Sequence, residues 1–182
     1  GNSTIKFLKK KNVKKIYTWD DKKNKTNKKK FDLFKKILDE VDFIVISPGI
    51  NIHKTKFKLN LFRNKKKIIT DLDLFYMQNI PIKSIVITGT NGKSTTCKLT
   101  QHIFKNNRID AQLGGNIGKP VLDLKIKRKS VMIIEASSFQ LAYAKFIKPN
   151  FAVILNINSD HLDWHKTVTN YKNSKFKIFS KQ

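Results

Sequence analysis

The sequence predicts an α/β fold with a mostly parallel sheet. Three observations carry this. Short runs rich in Ile, Val and Phe recur along the chain, longer amphipathic or polar stretches separate them, and one run leads through a glycine loop into a helical pattern. Continuous apolar runs belong to strands buried on both faces, as in parallel sheets. Strand–helix alternation places ligands at the carboxyl ends of the strands.

Taken in order, Gly1-Asn2-Ser3 runs straight into a helical pattern. The expected strands are Ile16–Trp19, Phe43–Ser47, Ile68–Thr70, Ser84–Thr88, Val131–Glu135 and Phe151–Asn156. Lys22–Lys30 is Lys/Asn-rich and reads as a solvated loop, while Phe31, Phe34, Ile37, Leu38 and Val41 fall at helical spacing. A domain boundary is expected near Met77–Pro81, where Pro81 opens a new strand after a short polar link. Leu99, Ile103 and Phe104 give the helix after the glycine loop, and Tyr171 to Gln182 is again helix-like. With helical patterns reaching both ends, a piece of a longer protein is expected. No internal repeat is visible.

At 182 residues the chain holds one domain or two small ones. A hydrophobic content of 40% supports a buried core. The single cysteine excludes a disulfide framework and fits a reducing compartment. The longest unbroken apolar run, Phe151 to Leu155, is far short of the roughly 20 residues a membrane helix needs. No secretory pattern opens the chain. A cytoplasmic protein without a membrane partner is therefore expected. The formal charge of +25 points by itself to nucleic acid or an anionic surface. Only three of the 38 basic residues are Arg, however, and the Arg fork is what phosphate and base recognition favours. Lys, Asn and Ile also share A/T-rich codons, so genomic bias accounts for such a surface. Nucleic acid is not expected as the main partner.

Ser84-Ile-Val-Ile-Thr88 leads into Gly89-Thr90-Asn91-Gly92-Lys93-Ser94-Thr95 and then the amphipathic helix. Glycines let backbone amides approach phosphate oxygens, and the helix N-terminus adds partial positive charge. Lys93 can reach β/γ-phosphates and Ser94 offers a hydroxyl to Mg²⁺. The longer P-loop pattern wants a glycine where Ile87 stands, so the match is to a shorter loop. A tight turn with an incidental Gly-Lys-Ser is the plainer alternative, and the flanking strand and helix argue against it.

Glu135 ends its apolar run, where a carboxylate beside a phosphate loop is placed to hold Mg²⁺. A solvent-facing acid at a strand end is the other reading. Asn158, Asp160, His161, Asp163 and His165 follow the last strand as a metal-capable cluster or as ordinary polar loop. Lys175, inside a basic run, reads from the residues alone as a solvated charge. Gly114 to Gly118 is turn chemistry that allows close backbone approach, Cys97 reads as core, and His53 and His102 as structural or solvated.

Together these segments resemble the Mur ligases, the ATP-dependent amino-acid-adding enzymes of peptidoglycan synthesis, and among them the D-glutamate-adding branch. The resemblance rests on Ser47-Pro-Gly49, Thr88 through Thr95, Gly114-Gly-Asn-Ile-Gly118, Glu135 with Ser137-Ser-Phe-Gln-Leu141, Asp160-His161-Leu-Asp163, and Tyr171 through Lys175. They occur in the family's order and cover nearly the whole chain. The glycine loop is common to all Mur ligases and to folylpolyglutamate synthases. The Ser-Ser-Phe-Gln-Leu stretch is particular to the D-glutamate branch.

The resemblance implies a Rossmann-like N-terminal domain for the UDP part of the substrate over residues 1–79. It implies a P-loop ATPase-type central domain over 80–182. Both are expected to be truncated and the amino-acid-binding third domain absent, so the chain alone is expected not to complete ligation. By the same resemblance Gly89 to Thr95 bind ATP, and Ser94 and Glu135 hold the first Mg²⁺. His161 joins the metal site, and Lys175 is the lysine that CO₂ carbamylates to support a second Mg²⁺. Lys93, His161 and Lys175 are the implied catalytic residues. Asn116, Ser137 and Asp20 are the implied contacts to UDP-N-acetylmuramoyl-L-alanine, with D-glutamate as co-substrate and a monomer as the working state. Ala136, Ala142 and Trp164 depart from residues frequent in relatives, and none removes a group the chemistry needs. Another Mur-type or folylpolyglutamate ligase and a basic nucleic-acid-binding P-loop module are the alternatives.

Overall fold

A computed structural model describes residues 1–21 and 28–180. They fall into two compact units, Gly1–Ile69 and Thr70–Gln182.

In the first unit, α1 (Asn2–Lys10) forms where the sequence places a helix, with Lys9 and Lys10 in the last turn, where cations suit the helix dipole. Residues 22–27 of the expected Lys/Asn loop lie outside the described residues, and Lys28–Lys30 belong instead to α2 (Lys28–Glu40). β1 (Ile44–Val45) pairs in parallel with β2 (Ile68–Ile69), and α3 (Lys58–Arg63) lies between them in the chain. Asp39 of α2 accepts hydrogen bonds from the side-chain amides of Asn60 and Asn64, and the Lys67 ammonium donates to its backbone carbonyl at 2.7 Å.

Ile16–Trp19 does not form the expected strand; residues 15–20 have no regular structure. Its apolar side chains serve a different contact. The Trp19 ring lies 5.1 Å from Phe34 and 5.0 Å from Phe57, and its Nε1 donates to Asp21 Oδ1 at 2.9 Å. The run joins no ladder, and aromatic packing is the contact it makes instead.

The second unit opens with α4 (Asp71–Tyr76), capped by Thr70 and Asp73 in a reciprocal box. Asp73 is fully buried, and its Oδ1 accepts the amides of Lys145 and Phe146, each at 2.7 Å. Those bonds satisfy a buried carboxylate and tie α4 to the second unit. The units therefore divide ahead of α4, earlier than the Met77–Pro81 link.

β3 (Lys83–Thr88), α5 (Lys93–Asn106), β4 (Ala111–Gly115), β5 (Val131–Glu135), α6 (Ser138–Tyr143), β6 (Phe151–Ile154), α7 (Leu162–His165) and α8 (Val168–Phe176) follow. The four strands form one parallel sheet in the order β4-β5-β3-β6. Alternation along the strands splits the core. Val86, Met132 and Ile134 face one layer with Leu72, Leu141 and Ile178, while Ile87 and Ile133 face Cys97 of α5. The expected buried cysteine and the central runs of β3 and β5 are borne out. β4 was not among the expected strands.

Register aligns the carboxyl ends. Ile87 pairs with Glu135, Glu135 with Gly115, and Thr88 with Ile154. The glycine loop after Thr88 and the acid of β5 thus emerge side by side.

Candidate active site

The loop after β3 is shaped by two glycines and braced by β6. Gly92 caps α5 in the left-handed region at φ +81°. A side chain at Gly89 would press against Leu155 Cβ at 3.1 Å. Just past β6, Asn156 reaches across. Its Oδ1 accepts the amides of Thr90 at 3.1 Å and Asn91 at 2.9 Å, and its Nδ2 donates to Asn91 O at 3.1 Å. Thr90 Oγ1 lies 2.9 Å from the Tyr171 hydroxyl and receives the Asn158 amide at 3.0 Å. The loop conformation is held by residues distant in sequence.

Lys93, at the first position of α5, folds back over this loop. Its ammonium donates to Gly89 O at 3.0 Å and Thr90 O at 2.8 Å. That places a cation and the start of a helix at one concave backbone turn, an arrangement suited to an anion with several oxygens. Thr95 is exposed in the first turn of the same helix.

Glu135 is the second centre. It is 1% exposed, and both carboxylate oxygens are engaged: Ser94 Oγ donates to Oε2 and Asn116 Nδ2 to Oε1, each at 2.8 Å. The Asn116 amide also donates to the Glu135 backbone carbonyl at 2.8 Å. This close approach explains the second glycine of β4. Gly115 has φ +104°, and a Cβ there would run into the Glu135 carbonyl oxygen. Glu135 is therefore a buried link between phosphate loop and glycine turn, and the solvent-facing reading of it is overturned.

Among the described residues, no group of three His, Cys, Asp or Glu converges as a metal site. The hard oxygens of Ser94 and Glu135 still fit Mg²⁺, which takes one or two protein ligands and completes its shell with phosphate oxygens and water.

Lys175 is the largest departure from what its neighbourhood in the sequence suggests. It is 1% exposed, not solvated. Its ammonium donates to Gly89 O at 2.8 Å and to Thr88 Oγ1 at 3.4 Å, and lies 4.7 Å from the centre of the Tyr171 ring. Burial first, and the nearby Lys93 charge second, lower its pKa from 10.5 to about 8. The amine is neutral for an appreciable fraction of the time near neutral pH.

The remaining candidates are placed differently. His161 sits at φ +52° ahead of α7, and its ring contacts Asp160 at 3.3 Å and Phe139 at 4.7 Å between centroids. It is half-exposed, and the structure does not join it to Ser94 or Glu135 by any hydrogen bond. Ser137 caps α6, with its hydroxyl held by Gln140 in a reciprocal box. Asp20 is exposed and belongs to the first unit. His165 is buried against Ser138 Oγ at 3.0 Å, and burial, with the charges of His161 and Lys175, lowers its pKa to about 4. It is a neutral packing group.

In the sequence Asn156 figures only as the end of an expected strand and Tyr171 only as the start of the Tyr171–Lys175 stretch, with no role in the site for either. Tyr171, Ser174, Lys175 and Ile178 are all buried, at i, i+3, i+4 and i+7, whereas the more apolar Phe176 and Phe179 are exposed, so the buried face follows from tertiary packing and is not marked by apolar periodicity in the sequence.

Comparison with known proteins places this geometry. A family model described as the Mur ligase middle domain matches residues 87–182. An Aquifex aeolicus protein named UDP-N-acetylmuramoylalanine–D-glutamate ligase is 36% identical over 183 residues, covering 100% of this chain and 42% of that relative. A Rickettsia felis protein of the same name is 44% identical over 142 residues, covering 78% of this chain and 31% of that relative. The chain spans less than half the length of these curated relatives. Among solved structures, a UDP-N-acetylmuramate:L-alanyl-γ-D-glutamyl-meso-diaminopimelate ligase from Neisseria meningitides aligns at 16% identity with a TM-score of 0.49, covering 79% of this chain and 50% of that one.

Proposed function

Because the chain belongs to the Mur ligase family, we propose that it forms part of a cytoplasmic, monomeric ligase joining D-glutamate to UDP-N-acetylmuramoyl-L-alanine at the expense of ATP. The names of the relatives support the substrate pair. The observation that carries the reading is the buried Lys175 amine at 2.8 Å from Gly89 O. A structural lysine gains little from burial at a phosphate loop. An amine kept partly neutral there suits CO₂ capture, which converts a cation into an anionic oxygen donor.

In this reading residues 1–79 hold the UDP moiety, with Asp20 on the uracil side, and residues 80–182 hold ATP. Lys93 and the amides of Gly89 to Thr95 bind the phosphates. Ser94 and Glu135 hold one Mg²⁺, and carbamylated Lys175 with His161 a second. The metal supplies charge neutralisation on the phosphates when bound. Asn116 and Ser137 orient the nucleotide sugar. The terminal carboxylate of that substrate attacks the γ-phosphorus, the bond to ADP breaks, and an acyl phosphate forms. The D-glutamate amine then adds to the acyl carbon, loses a proton, and expels phosphate from the tetrahedral adduct to leave an amide. The chain's own contribution is positioning and fixed charge, principally Lys93 and Lys175 aimed at the loop.

Phosphate release from Mg-ATP tests this, measured on the chain together with the coding sequence that flanks it. Release is expected to require both UDP-N-acetylmuramoyl-L-alanine and D-glutamate, and to fall about 10²–10³-fold in Lys93→Ala, the scale of one lost transition-state contact. Release indifferent to both substrates, driven by another amino acid, or stimulated by nucleic acid overturns the assignment.

A further inference from the structure

The opposite end of the sheet holds a cavity that the ligase reading does not use. Its volume is about 440 Å³, within the range of small-molecule sites. Lys83 and Ser84 open β3, whereas the phosphate loop follows Thr88, so the length of the strand separates the two places. All lining residues belong to the second unit.

The chemistry of the lining is specific. Phe75, Ile80, Ile82 and Ile126 supply an apolar wall. The polar groups at the base are already paired: the Tyr76 hydroxyl donates to Ser84 Oγ at 3.0 Å, and the Ser84 amide donates to Asn150 Oδ1 at 2.8 Å. Two exposed lysines, Lys83 and Lys148, complete the lining, which contains no Asp or Glu. Among the described residues, the Lys148 ammonium finds a neutral acceptor, Asn79 Oδ1 at 2.9 Å, and no carboxylate. Two uncompensated cations beside an apolar wall complement one kind of ligand, a small anion with an apolar body. Water alone leaves the wall unsatisfied, and a bare inorganic anion leaves it uncovered.

We infer that this cavity binds a small amphipathic carboxylate, with its chain against Ile80, Ile82 and Ile126 and its headgroup on Lys83 and Lys148. The site is separate from the phosphate loop, so its occupancy is independent of nucleotide and its failure would leave the ligase assignment untouched.

Octanoate is the probe, titrated into the chain and followed by amide NMR. A single saturable site is expected, with the largest shifts at Ser84, Ile126 and Asn150. Octanol and inorganic phosphate should bind at least tenfold more weakly, because each offers half of the required chemistry. Lys83→Glu with Lys148→Glu is expected to weaken octanoate at least tenfold, whereas Lys83→Arg with Lys148→Arg stays within threefold of wild type. Both positions are exposed, so equal melting temperatures verify that the folds match. Lys93→Ala should bind octanoate as the wild type does. Shifts centred on the exposed Leu99 and Ile103 of α5, a non-saturating response, or unchanged affinity after charge reversal would overturn the inference.

Discussion

Substituting Lys175 by Met tests the buried amine through folding rather than catalysis. Lys175 is 1% exposed, and burial lowers its pKa from 10.5 to about 8. Between those values the unfolded chain carries the proton and the folded chain does not. The unfolded state then binds more protons, so unfolding free energy rises with pH across this window. The ceiling is about 1.4 kcal/mol per pH unit, and the whole window contributes about 2–3 kcal/mol. The contribution is absent below pH 8, where both states are charged.

Three other groups oppose this slope and must be removed by difference. Burial raises Tyr76 and Tyr171 above their usual range, and burial with the Glu135 charge pushes Cys97 up to about 12. All three are acids that the folded state keeps protonated longer, so they lower stability as pH climbs past their unfolded values. They are common to wild type and Lys175→Met, and only the lysine differs. Urea unfolding at half-unit steps from pH 7 to 10 is the assay. The wild type should gain about 2 kcal/mol on the variant between pH 8 and 10. Parallel curves would show that the amine titrates as a solvated lysine, and the argument for CO₂ capture would go with it.

Further outcomes follow from the same contacts. Asn156→Ala removes three hydrogen bonds to the loop at an exposed position, at about 0.5 kcal/mol each. The melting temperature should drop by a few degrees, and Mg-ADP affinity by fluorescence titration should fall about five- to tenfold as the loop loses its preorganised shape. Gly115→Ala drives a Cβ into the Glu135 carbonyl and strains φ +104°, and it should cost about 1–3 kcal/mol of stability in a denaturant melt. Glu135→Gln keeps an acceptor for Ser94 and loses the charge. The Mg²⁺ concentration needed for half-maximal nucleotide binding should rise about tenfold, since a carboxylate is the ligand this hard cation prefers.

What could be read from the sequence follows from which interactions are local. β3 and β5 are central, buried on both faces, and so appear as unbroken apolar runs. The phosphate loop is likewise local, because glycine spacing, lysine and helix start lie within one segment. β4 is different. Ala111-Gln-Leu-Gly-Gly115 has little strand propensity, and it is a strand because β5 pairs with it, Gly115 admits the Glu135 carbonyl, and Gly114 admits Lys119 O and Leu124. Ile16–Trp19 fails in the opposite direction, with high strand propensity but aromatic contacts to Phe34 and Phe57 in place of a ladder.

The site divides along the same line. Ser94, Glu135 and Asn116 each sit at a strand end or turn that the sequence marks, and the structure joins them by two 2.8 Å hydrogen bonds. Asn156 could be recognised only with the strand order in hand. It braces the loop because β6 lies beside β3, although some sixty residues separate them in the chain and sequence spacing carries no strand order. Lys175 belongs with Asn156 in this respect. Its composition-based reading as a solvated charge is what a run of Lys and Asn favours, and the helix offers no apolar periodicity against it, since Phe176 and Phe179 are exposed while Ser174 and Lys175 are buried. Tertiary packing of Tyr171 and Ile178 chooses the buried face, and that choice is absent from local sequence. A lysine buried against a phosphate loop is therefore a marker of the site that the fold reveals and the sequence does not, since only a compensating ligand or a shifted pKa makes such burial tolerable.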